Sequence, residues 1–128
     1  MERKWYNGLS AEILDAAIEV HRIMGPGLLE SVYQSCLVRE LRSRHISCQE
    51  GVYVLLKYKG WDLDNYYVMD LLVEDEIIVE LKAVEIVLPV HEAQVISYLR
   101  LANKKLGFLI NFNEPLLKFG FRRFVNGF

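Results

Sequence analysis

Three charges stand inside two strand-like runs of this sequence, in DLLVEDEIIVELK: Asp70 in the first run, Glu80 and Lys82 in the second. Side chains alternate along a strand, so Glu80 and Lys82, two residues apart, point to the same face. If Glu74 to Glu76 form a three-residue loop, the register pairs Val73 with Ile77 and Asp70 with Glu80, and opposed residues share a face. Two carboxylates then lie side by side, with an ammonium group one step further along, inside an otherwise apolar sheet. Like charges opposite one another are unfavourable, and a buried carboxylate without a partner costs several kcal/mol. One compensator is Lys82, in a structural ion pair. The other is a divalent cation, because carboxylate oxygens are the ligands that Mg²⁺ and Mn²⁺ prefer, with waters and phosphate oxygens completing the octahedron. The register leaves both open, and a loop one residue longer or shorter would turn Asp70 to the opposite face.

The elements that must position these groups are punctuated by Gly and Pro. Ser10 is the expected N-cap of a first helix, with Ile13, Leu14, Ala17, Ile18 and Val20 at helical spacing and an end at Gly25-Pro26-Gly27. A second helix follows, with Leu29, Val32, Tyr33, Cys36, Leu37 and Leu41 recurring until RSRH. From Ile46 the period becomes that of a strand, and KYKGWDLDN is expected as a loop. Tyr66 to Val73 and Ile77 to Val84 are apolar on both parities, as strands covered on both faces are. A helix from about His91 to Asn103, a short buried strand in FLINF and an edge strand in KFGFRRF complete the order ααβββαβ(β). This predicts one α/β (α+β) domain over residues 1–128, a mixed sheet flanked by helices.

A chain of 128 residues with 52% apolar and 25% charged residues has the size and composition of one globular domain. It contains no apolar run of the ~20 residues that span a bilayer and begins without a signal-peptide pattern, so a soluble, cytoplasmic protein is expected. Cys36 and Cys48 have no metal-ligand spacing and are expected as reduced, packed thiols. A net charge of -2 excludes binding of nucleic acid by bulk positive charge, so local features or a metal must help.

Asp70 followed by Glu80-Leu81-Lys82 resembles the core of the PD-(D/E)XK nuclease superfamily, with Met69 where the motif has proline. Gln94 and Tyr98 form a Q-x-x-x-Y, similar to the helix motif of the exonuclease-like branch. Gly27-Leu28-Leu29-Glu30-Ser31-Val32-Tyr33 matches the G-x-x-E-x-x-Y of a family of small bacterial proteins grouped with that superfamily. HRIMGPGLLESVY, ELKAVE, HEAQVISYL and KLGFLINF resemble successive blocks of this family across nearly the whole chain. The resemblance implies a restriction-endonuclease-like core and a metal-dependent nuclease acting on DNA or RNA. It assigns Asp70, Glu80, the Leu81 carbonyl and Glu30, the last directly or through water, to Mg²⁺ or Mn²⁺. Lys82 would orient water or hold phosphate, Gln94 and Tyr98 would position the backbone or the hydrated ion, and Tyr33 would pack or orient.

His21 and His91 sit in no ligand spacing and are expected as structural or helix-end residues, with His45 exposed. Lys57, Lys59, Lys104, Lys105, Arg122 and Arg123 are candidates for local phosphate contacts. The alternative from a different class is a catalytically silent nuclease-like subunit that binds nucleic acid or protein, because fold does not fix function. Self-association or a partner subunit is compatible with either.

Overall fold

A computed structural model describes residues 3–128, and its first helix, α1 (Arg3–Met24), runs through Ser10 instead of starting there. The Ser10 hydroxyl donates back to the Tyr6 carbonyl at 2.6 Å. Tyr6 explains the difference. Its side chain is buried and its hydroxyl donates to Glu76 at 2.9 Å, so tertiary packing extends the helix upstream of a residue that favours capping. Gly25 and Gly27, at φ of 72° and 94°, turn the chain into α2 (Glu30–Ser43).

Five strands form one sheet in chain order: β1 (Cys48–Tyr58), β2 (Trp61–Val73), β3 (Ile77–Lys82), β4 (Leu106–Asn111) and β5 (Phe121–Val125). β3 and β4 are parallel, joined by the crossover helix α3 (Pro89–Ala102), and the other neighbours are antiparallel. α1 and α2 cover one face, packing on Leu71, Val73, Ile77, Val79 and Leu81. α3 covers the other, packing on Leu72, Ile78 and Leu109. The mixed α/β order expected from the sequence is the order observed, and β3 and β4 are buried on both parities because each face carries helices.

Three boundaries differ from expectation. KYKGWDLDN is no loop: Lys59 and Gly60, at φ of 49° and 82°, make a two-residue turn whose twist suits a hairpin, so pairing continues to Tyr58 and Trp61. The outer half of this ribbon stands clear of the core, leaving Tyr53, Leu55, Tyr58 and Trp61 exposed. β3 ends at Lys82 because the next stretch of backbone turns to a side chain of β4, described below. α3 begins at Pro89, where a residue without an N–H fits a first helical turn. No helix among the described residues is long and apolar enough to cross a membrane.

Candidate active site

The β2–β3 turn sets everything that follows. Val73 pairs with Ile77, Leu72 with Ile78 and Leu71 with Val79, the register that a three-residue loop requires. Glu74 and Asp75 take positive φ, and the Glu76 N–H donates to the Val73 carbonyl at 3.0 Å. Each acid of the turn is held from outside it. Glu74 accepts bonds from the Ser47 N–H and hydroxyl, the Asp75 carbonyl accepts from Lys104 Nζ at 2.8 Å, and Glu76 accepts from Tyr6.

Past Leu71 and Val79 the main-chain ladder between these strands stops, and side chains take its place. The Asp70 N–H donates to Glu80 Oε1 at 3.0 Å, and the Leu81 N–H donates to Asp70 Oδ2 at 2.8 Å. Each carboxylate thus satisfies a backbone donor of the opposite strand. The kink lies at Asp70: Met69 packs with Leu72 in the α3-side core, although strict alternation would group it with Leu71. Gly51, at φ of 60°, sits across from this kink between the pairs Glu50–Leu71 and Val52–Met69.

Glu80 is only 7% exposed, and its carboxyl is pushed up to about 9, first by burial and then by the charge of Asp70; the Asp70 N–H and Lys82 oppose this. Without a cation the pair therefore keeps a proton at neutral pH. Tyr98, buried on α3, has its hydroxyl raised by burial and then by the negative charge of Glu80 and Asp70, which places it in the field of both. Gln94, one turn earlier, is exposed. Lys82 is half-buried, and among the described residues no ion pair joins it to either carboxylate. The structural ion pair weighed from the sequence does not form.

The donor set suits a hard divalent cation. Asp70 Oδ1 and Glu80 Oε2 are not engaged by the two backbone donors. In a strand the N–H and C=O of one residue face the same neighbour, so the Leu81 carbonyl is directed to the same side as its N–H, toward Asp70. Two carboxylate oxygens and a carbonyl are ligands that Mg²⁺ and Mn²⁺ accept.

Glu30 is not brought to this pair. It is exposed in the first turn of α2, a helix on the opposite face of the sheet, and the described residues contain no cluster of three or more His, Cys, Asp or Glu able to hold a metal. Tyr33 does have the orienting role expected of it. Its hydroxyl donates to the Gly25 carbonyl at 2.6 Å and accepts from the Leu28 N–H at 3.0 Å, and its ring stacks on Phe112. The histidines serve structure: His21 bonds the Glu114 carbonyl, and His91 Nδ1 accepts from the Leu88 N–H at the start of α3.

Asn111 is the positioning residue that the sequence reading passed over. It is fully buried, pairs in register with Lys82, and clamps the chain leaving β3: Nδ2 donates to the Val84 carbonyl at 2.9 Å, while Oδ1 accepts from Val84 and Asn113. An amide inside the apolar run FLINF was the available signal. Asn111→Leu keeps the volume and strands these partners, so it is expected to destabilise by about 3 kcal/mol and to lower the thermal midpoint by roughly 10 °C in circular dichroism melts.

A family model described as the PD-(D/E)XK nuclease superfamily matches residues 7–124. No curated protein and no solved structure matches the chain.

Proposed function

The chain belongs to the PD-(D/E)XK nuclease superfamily, and we propose that it is a Mg²⁺- or Mn²⁺-dependent nuclease hydrolysing phosphodiester bonds of DNA or RNA. Its mixed sheet flanked by helices is the restriction-endonuclease-like arrangement of that superfamily. The GxxExxY segment, Gly27 to Tyr33, supports placing it in the group of that name. The observation that carries the reading is the convergence of Asp70 and Glu80, each bonded to the other's strand with one oxygen left over.

Asp70, Glu80 and the Leu81 carbonyl would form the direct ligand set. A bound divalent cation would supply Lewis acidity, neutralising charge that grows on the phosphate and lowering the pKa of a water. Glu80 would lose its proton to solvent on taking part, and Lys82, in no ion pair among the described residues, holds a phosphate oxygen or the attacking water as a compact point charge. Tyr98 orients from the α3 side, with Gln94 one turn away at the surface.

Metal-stripped protein given Mg²⁺ or Mn²⁺ is expected to cleave at least one member of a mixed set of single- and double-stranded DNA and RNA, and to stop when EDTA is added. Binding without cleavage across the whole set would establish the silent-subunit alternative instead.

A further inference from the structure

A groove of about 440 Å³ runs between the outer half of the β1–β2 ribbon and α3. The ribbon contributes Lys57, Tyr58, Leu63 and Tyr67, and the helix contributes Arg100 and Leu101. Its inner end meets the site. The Tyr67 ring lies 5.1 Å from that of Tyr98, tilted by 54°, and Tyr67 precedes Asp70 by three residues on β2, about 10 Å along the strand.

We propose that this groove binds an unpaired nucleotide of a single nucleic-acid strand, next to the phosphate that the Asp70–Glu80 site cleaves. A base packs against Tyr58 and Tyr67, while Arg100 and Lys57 meet phosphate oxygens. The identity of the ligand rests on the nuclease reading, and three features support it. First, the groove is continuous with the candidate site through Tyr67 and Tyr98. Second, its charge is complementary to a phosphate chain. Arg100 is in no ion pair among the described residues, and Lys57 has only a 3.5 Å pair with exposed Asp62, which contributes little. Neither Asp62 nor Asp64 lines the groove. Third, its volume is that of a small-ligand pocket, enough for one base and sugar and too small for a double helix. Aromatic faces beside cations are how single strands are held without sequence preference, because every base has a π-face.

Tyr58 and Tyr67 are 57% and 41% exposed, so truncating them leaves the core intact. The test uses fluorescein-labelled oligothymidylate of about a dozen nucleotides and a duplex of equal length, followed by fluorescence anisotropy in EDTA. Tyr58→Ala with Tyr67→Ala is expected to weaken single-strand binding by roughly 5- to 100-fold, as loss of base stacking does, with a smaller effect on the duplex. Tyr58→Phe with Tyr67→Phe keeps the π-faces and is expected to bind as the parent does. Unchanged binding by the alanine variant, equal loss in the phenylalanine variant, or no single-strand binding by the parent overturns the groove. A parallel arm with Mg²⁺ or Mn²⁺ follows cleavage. Tyrosine-dependent binding without cleavage supports the groove and removes the nuclease reading, whereas cleavage with tyrosine-independent binding does the reverse.

Discussion

Lys82→Ala is expected to lower phosphodiester cleavage by roughly 10²–10³-fold, the usual consequence of removing one group that stabilises transition-state charge. The folded protein should survive the change. Lys82 is half-buried, forms no ion pair among the described residues, and leaves its backbone pairing with β4 untouched. Its one unfavourable side effect is to remove a positive charge that favours the ionised form of Glu80. Asp70→Ala should abolish cleavage as well, by a different route, because it removes a metal ligand together with the acceptor for the Leu81 N–H. Both variants are compared with the parent on labelled substrates, alongside thermal melts to establish folding. Parent-level cleavage by either variant would assign the activity to a contaminant.

Glu80→Gln is expected to stabilise the metal-free protein at alkaline pH while eliminating its response to metal. The folded-state pKa of Glu80 is raised from 4.5 to about 9, so between those values the folded protein holds a proton that the unfolded chain releases. The stability contribution of this group is therefore complete below about pH 4.5 and is lost as pH rises toward and through 9. Glutamine resembles the protonated acid. It retains an oxygen to accept from the Asp70 N–H, adds a donor toward Asp70, and never ionises. In EDTA near pH 9 its unfolding midpoint should exceed that of the parent by roughly 3–6 °C, the shift that about 1 kcal/mol gives a domain of this size. In excess Mg²⁺ or Mn²⁺ the order reverses, since binding to the folded state raises the parent's midpoint and the variant has lost a charged ligand. Melts across pH 5 to 9, with EDTA and with metal, check both halves. Coincident parent and variant curves in EDTA would show that no charge penalty resides at Glu80.

The charged hairpin was legible in the sequence because its turn is short and its flanking runs are apolar on both parities, which leaves few registers that keep Asp70 facing Glu80. Tyr98 and Gln94 were read from the resemblance of QVISY to a Q-x-x-x-Y motif, and the fold buries Tyr98 and leaves Gln94 exposed. What escaped depended on tertiary partners. Ser10 has the local chemistry of a cap, yet buried Tyr6 carries α1 past it. Lys59–Gly60 belongs to a composition shared by loops and tight hairpins, and only the pairing of Tyr58 with Trp61 separates the two. Glu30 shares a helical row with buried Leu37 and Leu41, but periodicity cannot say which face of the sheet that helix covers. Asn111 was passed over as part of a buried strand, because its partners at Val84 and Asn113 lie in irregular chain that no repeat describes.

The bonds that hold Glu74, Asp75 and Glu76 reach to the segment before β1, the link between α3 and β4, and the start of α1. Hairpin tips usually open early in native-state fluctuations and exchange their amide hydrogens quickly. This tip is fastened from three separate parts of the chain, so its amides should exchange on the timescale of the core. The distance between Asp70 and Glu80 is then governed by the same cooperative unit that keeps the domain folded. Metal affinity and global stability should decline together as the protein is warmed, with no intermediate in which the sheet persists and the two carboxylates have drifted apart.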